Sequence, residues 1–395
     1  MKKITGFLLA GLFVLSGCMK EPTTVELKKG TLVETTIHAQ DPYIKAGNYN
    51  HAYIYLPPHY DGGTSYPTLY LLHGYGSDYR FWQSVEDIKD ILDYMITKGE
   101  IVPMIVVMPN GYNDFAGSFY TNSIDSAYPA FGQFEDYIIN DVIRFVDSAY
   151  ATDTTKRAIA GISMGGYGAM KLGAKYPELF KVVAGFSGVY DFDLFLAQDS
   201  VTGMSMVDMV IAENGGYISP LNINEEHPLT SMMFAMGAAF SPRVRDSSYF
   251  NPLENKFSFS PYYLNPSLYM GVQLPFVIDS LDTINNMVKG YWHLDSLTWA
   301  QWEDNNVKNI FINNAQNIIS AGTKYYMDCG TDDELKLNFH LMVLDGTLNQ
   351  LGIPHKAELF SEYPGYPEST FPATHTSHLY LRVREGLSYI SNNIE

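Results

Sequence analysis

The sequence predicts an α/β fold with a mostly parallel central sheet, helices on both faces and a large cap insertion. Three observations carry that expectation. Short apolar runs rich in β-branched and aromatic residues alternate with stretches whose apolar residues recur at three- and four-residue spacing. The run Arg157-Ala-Ile-Ala160 leads through Gly161-Ile-Ser-Met-Gly165 into a helix-compatible stretch that ends before Pro177. Between Ser187 and Lys324 the alternation stops for roughly 135 residues.

In chain order, strands are expected at 33–39, 51–57, 67–73, 104–109, 157–162, 181–187, 323–329 and 355–361. Helical periodicity covers Phe81–Ile96, Phe134–Tyr150, Gly165–Tyr176, Leu335–Leu351 and 379–391. Two early strands followed by alternating strand and helix imply a parallel sheet covered on both faces. The long interval is rich in Met, Tyr, Phe, Pro and Asn. It contains Met232-Met-Phe-Ala-Met-Gly237, Phe257-Ser-Phe-Ser-Pro-Tyr-Tyr263 and Tyr291-Trp-His-Leu294. Such segments are too apolar for a linker, and a structureless loop of this length is uncommon in a compact domain. A helical cap or lid at about 200–320 is therefore expected.

Composition and the N-terminus bound the function. A formal charge of −18 argues against nucleic acid, whose phosphates demand clustered Lys and Arg. Residues 1–18 have a basic start, a short apolar core and small residues before Cys18, which reads as a secretory signal. An apolar core of about ten residues is too short to span a bilayer. Leu15-Ser-Gly-Cys18 resembles the lipobox of bacterial lipoproteins, which makes Cys18 the expected lipidation site and 19–32 a tether to a folded body at 33–395. Met19-Lys20 lacks the aspartate that resembles an inner-membrane retention signal, so an outer-membrane destination is expected. Cys329 is then left without an intramolecular disulfide partner.

Gly161-Ile-Ser-Met-Gly165 has the form of a nucleophile elbow, a tight strand-to-helix turn whose flanking glycines avoid collision with neighbouring backbone. Ser163 is the candidate nucleophile. Serine at its ordinary pKa is a poor nucleophile and needs a histidine base and a group to orient it. Lys324-Tyr-Tyr-Met-Asp-Cys-Gly-Thr-Asp-Asp-Glu-Leu335 supplies acids after a late strand, and Asp333 is the choice among them. Asp332 and Glu334 equally suit helix-capping positions, Asp328 lies inside the strand, and Asp191 or Asp193 could serve a variant triad. Pro372-Ala-Thr-His-Thr-Ser-His-Leu-Tyr380 offers His375 and His378 as the base, whereas His355 and His340 read as structural or exposed. The pair of histidines lacks the companions of a metal site, so no metal is expected. Two N–H donors for an oxyanion, worth about 3–4 kcal/mol each in the transition state, are expected from Met164 and from Tyr75 in Leu71-Leu-His-Gly-Tyr-Gly-Ser77. His73 there reads as a turn-stabilising residue.

Tyr55-Leu-Pro-Pro58, Leu72-His-Gly-Tyr-Gly76 with Trp82, Phe134-Glu-Asp-Tyr-Ile138, Ala158-Ile-Ala-Gly-Ile-Ser-Met-Gly-Gly-Tyr-Gly-Ala169, Phe186-Ser-Gly188 and Asp328-Cys-Gly-Thr-Asp-Asp333 together resemble the esterase D or feruloyl-esterase branch of the α/β-hydrolase superfamily. The resemblance implies an α/β-hydrolase fold, nucleophile Ser163, acid Asp333 and oxyanion donors Tyr75 and Met164. It departs at Ala373-Thr-His375, where Gly-Gly-His or Gly-Asp-His is expected, and in the length of the insertion, although Met236-Gly-Ala-Ala-Phe-Ser-Pro242 resembles a cap segment of some relatives. The spacing from His375 to Tyr380 resembles capped relatives and favours His375 as base, with His378 the alternative. The implied activity is carboxylic ester hydrolysis through an acyl-enzyme without cofactor, on feruloyl or acetyl esters of plant polysaccharide. Two other readings stand beside it: an acyltransferase of the mycolyltransferase type, and a non-catalytic carbohydrate-binding lipoprotein.

Overall fold

A computed structural model describes residues 26–125, 128–198, 203–216, 218, 223–243, 250–251, 256–257, 271–284, 287–361 and 372–395. Cys18 and the aromatic run from 258 to 263 lie outside the described residues. Strands form where apolar residues run without interruption: Ile105-Val-Val-Met-Pro109 and Val182-Val-Ala-Gly-Phe186 are buried at every position. That pattern belongs to a sheet covered on both faces. The eight strands are β1 (Thr31–Thr36), β2 (His51–Leu56), β3 (Tyr66–Leu72), β4 (Ile105–Pro109), β5 (Thr152–Ile162), β6 (Val182–Phe186), β7 (Lys324–Gly330) and β8 (His355–Phe360). Their order across the sheet is β1-β2-β4-β3-β5-β6-β7-β8. β1 pairs antiparallel with β2 and β2 with β4, and every other pair is parallel.

Alternate residues feed two separate cores, as a period of two requires. Tyr70, Leu72, Val107, Ile159, Val183 and Met327 face one layer, with the helices Met164–Lys175, Val307–Ala321 and Leu337–Leu351. Leu69, Leu71, Val106, Ala160, Val182 and Tyr326 face the other, with Ile88–Lys98 and Leu379–Asn393. Each large aliphatic side chain so buried contributes roughly 1.5–3 kcal/mol.

Four sequence expectations need correction. The tether does not extend to residue 32: the Lys28 N–H donates to Thr97 Oγ1 at 3.0 Å and the Gly30 N–H to Asp93 Oδ1 at 2.7 Å, so the chain is docked before β1 begins. The helix expected at 81–96 is two pieces, Phe81–Ser84 and Ile88–Lys98, because Asp87 adopts φ 47° and breaks the first before the second starts. The helix from Phe134 carries a π-type turn over Tyr137–Val142. The insertion at about 200–320 is not wholly helical and overruns at its end. It contains the helices Met206–Glu213, Pro228–Phe240 and Ser296–Glu303 and an antiparallel hairpin of Phe276–Ile284 with Met287–Leu294. The helix Val307–Ala321 is instead the crossover from β6 to β7. It lies against the helix after the elbow, with Asn314 Nδ2 donating to Ala174 O at 2.6 Å. Its run of asparagines hid that role in the sequence.

Aromatic packing joins the cap to the elbow helix. Tyr167 stacks on Phe192, Phe192 meets Phe240, and Phe240 meets Trp302, with ring centroids 5.9, 5.3 and 5.4 Å apart. Trp302 is fully buried and donates to Ser241 Oγ at 2.9 Å. Met206–Glu213 starts with a Ser205–Asp208 capping box, and Asp208 also accepts from Trp292 Nε1 of the hairpin at 3.0 Å.

Candidate active site

β5 ends on Ser163, whose backbone sits at φ 56°, ψ −118°, outside the regions a residue with a Cβ ordinarily occupies. The turn is tight enough to demand glycine on both sides. A Cβ on Gly161 would stand 2.4 Å from the carbonyl carbon of Gly165, and one on Gly165 would stand 2.3 Å from Leu72 O. The Ser163 N–H donates to Phe186 O at 2.8 Å, which ties the elbow to the end of β6. Met164 opens the helix, so its N–H has no partner within it. Across the serine, the loop after β3 approaches so closely that a Cβ on Gly74 would lie 3.5 Å from Ser163 Cβ. No hydrogen bond is found for the N–H of Tyr75 or of Met164 among the described residues.

His73 shapes that loop. Its Nε2 accepts from the Gly111 N–H at 2.8 Å, which leaves the proton on Nδ1, 2.9 Å from Gly74 O. Burial pushes its pKa down to about 4, in keeping with a neutral imidazole.

Asp333 and His375 are brought together at the end of β7. His375 Nδ1 lies 2.9 Å from Asp333 Oδ2, and the Asp333 side chain is fully buried. The other carboxylate oxygen accepts from the N–H groups of Leu335 at 2.9 Å and Leu337 at 3.4 Å. Burial raises this carboxyl's pKa, but the hydrogen bond and charge of His375 outweigh it and hold the group below its ordinary value. Asp332 is exposed, and Glu334 accepts from the His375 N–H at 3.0 Å. His378 stands at the N-cap of the last helix with φ 53°. Asp191 and Asp193 both pair with Lys308 at 2.7 Å. His355 is held by Asp345 at 2.9 Å. His340 is buried and accepts from the N–H groups of Tyr190 and Asp191 at 3.3 and 3.1 Å, and burial pushes its pKa down to about 4.

Beside Ser163 lies an apolar pocket formed by Tyr75, Phe119, Met164, Phe195, Met206 and Met232 among others. Its free space is about 20 Å³, close to the minimum that admits one water. Sequence reasoning missed Phe119 and Phe195, and it had no means of assigning Met206 and Met232 from a 135-residue interval to one wall. It also missed Arg382, three residues after Leu379 in the last helix. Among the described residues no cluster of His, Cys, Asp and Glu could hold a metal ion, and no helix is long and apolar enough to cross a membrane.

Eight strands in this order, with a serine on a strained elbow after the fifth and a buried Asp–His pair after the seventh, have the arrangement of the α/β-hydrolase fold. Residues 46–206, the segment with the elbow and the loop after β3, match the model of the family described as "Putative esterase". An esterase of Mycobacterium tuberculosis is 35% identical over 138 residues, covering 34% of this chain and 28% of that protein. An endo-1,4-beta-xylanase/feruloyl esterase of Xylanibacter ruminicola is 28% identical over 209 residues, 51% of this chain and 27% of the relative. The chain thus spans little more than a quarter of the length of these curated relatives. A solved ferulic acid esterase shares the fold with a TM-score of 0.54 at 15% identity, over 93% of this chain and 99% of the other.

The two buried neutral histidines set a pH dependence of stability. Both have folded pKa values of about 4 against an ordinary 6.5, so between those values the unfolded chain binds more protons and stability rises with pH. Asp333, held low, adds a loss of the same sign only once the pH enters the carboxylate range. The urea midpoint should therefore fall steadily from pH 6.5 to 5, and less steeply in His340→Gln. A midpoint flat across that window would contradict the assignment of neutral imidazoles.

Proposed function

We propose that this chain is a serine esterase that cleaves carboxylic esters through an acyl-enzyme on Ser163. The buried Asp333–His375 pair at 2.9 Å, on the same sheet edge as the strained serine, carries the reading. Asp333 accepts a hydrogen bond from Nδ1–H and fixes the tautomer that leaves Nε2 free to take the proton of Ser163 Oγ. The alkoxide attacks the ester carbonyl while the N–H groups of Met164 and Tyr75 receive the developing oxyanion. His375 returns the proton to the departing alcohol, and water repeats the sequence to release the acid. No hydrogen bond from Ser163 Oγ to His375 is formed among the described residues. Such a link commonly tightens only when substrate is bound.

Ser163→Ala should abolish ester hydrolysis with folding intact, since an intact triad contributes on the order of 10⁶ in turnover. Asp333→Asn and His375→Ala should each cost at least about 10³, and Asp332→Asn and His378→Ala far less. Turnover of p-nitrophenyl acetate by the five variants makes the comparison. A severe loss in His378→Ala with a mild one in His375→Ala would move the base, and an active Ser163→Ala would end the esterase reading. Release of free acid rather than transfer to an added sugar separates hydrolysis from acyl transfer.

The acyl group that the pocket favours is small. Met206 and Met232 reach the pocket from a cap held to the elbow helix by buried aromatic rings, which argues for a fixed wall over a swinging lid. Acetyl esters, such as those on polysaccharide, fit this wall better than hydroxycinnamoyl esters. The expected result is a higher kcat/KM on p-nitrophenyl acetate than on p-nitrophenyl ferulate, with the ratio shifting toward ferulate in the double variant Met206→Ala, Met232→Ala. A wild type that prefers the ferulate ester would refute the fixed wall.

Lipid attachment at Cys18 and an outer-membrane location are proposed on the sequence alone. Radiolabelled palmitate should enter the wild-type protein and be absent from Cys18→Ser, and equal labelling of both would overturn the anchor.

A further inference from the structure

Arg382 lies fully buried beneath the histidine loop, where burying a guanidinium is costly unless every donor finds a partner. It has them. Nε donates to Asp328 Oδ1 at 3.0 Å, Nη1 to the backbone carbonyl of His375 at 3.0 Å, and Nη2 to Ser187 Oγ at 2.8 Å. The Ser187 hydroxyl in turn donates to the same His375 carbonyl at 3.3 Å. Two donors therefore converge on one backbone oxygen, that of the histidine whose ring meets Asp333.

Ser187 is itself held in an uncommon state. It is buried at φ 44°, a backbone region that non-glycine residues adopt at a cost, and its N–H donates to Asp328 O at 2.8 Å. Its Oγ lies 3.5 Å from Cys329 Sγ, and the thiol reaches Asp333 Oδ2 at 3.4 Å. Hydrogen bonds run from the His375 ring to Asp333, from Arg382 and Ser187 to the His375 carbonyl, and from the Cys329 thiol to Asp333, while the Ser187 oxygen packs against the sulfur. Opposite Asp328, the guanidinium rests on the ring of Phe360 at 4.7 Å from its centroid. Space is equally constrained, because a Cβ on Gly330 would stand 1.9 Å from Ala373 O, so the loop carrying His375 lies directly on the end of β7.

We propose that Arg382 and Ser187 are positioning residues for the general base. Anchored by Asp328, they clamp the His375 carbonyl and so fix where the imidazole stands between Asp333 and Ser163. The inference rests on the esterase reading and adds to it: catalytic geometry would be set by a buried guanidinium from the last helix, which touches neither substrate nor nucleophile. Lysine cannot reproduce three donors in a planar fork, so Arg382→Lys keeps the charge opposite Asp328 while releasing the carbonyl.

The test compares Arg382→Lys and Ser187→Ala with wild type and with Arg384→Gln, a control on the exposed side of the same helix. Arg382→Lys should lower kcat on p-nitrophenyl acetate by about 10²-fold, since displacing a catalytic group by about 1 Å suffices for that, with KM nearly unchanged. In proton NMR, the downfield signal of the His375 Nδ1 proton, identified by its loss in His375→Ala, should shift or broaden in Arg382→Lys and stay in place in Arg384→Gln. If Arg382→Lys does not fold, Ser187→Ala carries the test, with roughly a tenfold loss in kcat and the same spectral change. Folded variants with wild-type kcat and an unmoved Nδ1 proton would overturn the proposal. The spectral arm needs no turnover: a wild type inactive on every ester and unlabelled by a fluorophosphonate would sink the esterase reading, while the NMR shift would still report whether the clamp holds His375.

Discussion

The structure depends on one backbone constraint, the conformation of Ser163 between β5 and its helix. A residue with a Cβ at φ 56°, ψ −118° is strained by an amount of order 1–3 kcal/mol, and it persists only because the surroundings leave the chain no alternative. β5 is central in the sheet, buried at every position from Arg157 to Ile162, and hydrogen-bonded between β3 and β6. The helix that follows is buried along nearly its whole length. With both flanking elements immovable, the turn must complete its reversal in one residue, and only glycine at 161 and 165 lets the helix backbone close against the strand. The outcome is a side chain held out above the sheet edge with a helix N-terminus beneath it.

Around this fixed point the remaining groups arrive from the carboxyl ends of neighbouring strands. β3 delivers the loop with Tyr75, β6 delivers Ser187, and β7 delivers both Asp328 and Asp333. In a parallel sheet those ends coincide in space however distant they are in sequence, which is why such folds gather their sites there. The two acids of β7 are divided by environment. Asp328 lies within the strand against the layer of the last helix and meets Arg382. Asp333 lies beyond the turn and meets His375. The same strand thus sends two acids, five residues apart, to different partners.

Much of this was legible in the residues. Continuous apolar runs located the central strands to within a few positions, because strands buried on both faces leave few polar interruptions, while the half-exposed edges β1 and β8 were found from their β-type residues. The elbow was readable for the same steric reason that makes it rigid. Asp333 could be told from Asp332 only by burial, which a run of adjacent acids does not reveal. His375 and His378 differ by three positions, and the preference for His375 rested on a resemblance in its spacing to Tyr380, since both stand in one loop before the last helix. The cap was opaque because its order comes from contacts between distant segments, such as Phe192 with Phe240 and Asp208 with Trp292, and not from local periodicity.

Arg382 shows where sequence reasoning stops for a physical reason. On a helix whose apolar stripe runs through Leu379, Val383 and Leu387, an arginine at the edge of that stripe ordinarily reaches past it to solvent with its long stem. Here the stem cannot do so, because the guanidinium has a buried carboxylate on one side and two oxygen acceptors on another. The choice between surface and interior was therefore decided by Asp328, 54 residues earlier in the chain. A buried ion pair of this kind adds little net stability against well-packed apolar residues of similar size. What it supplies is direction: a planar donor set that apolar side chains could not offer to the carbonyl of His375.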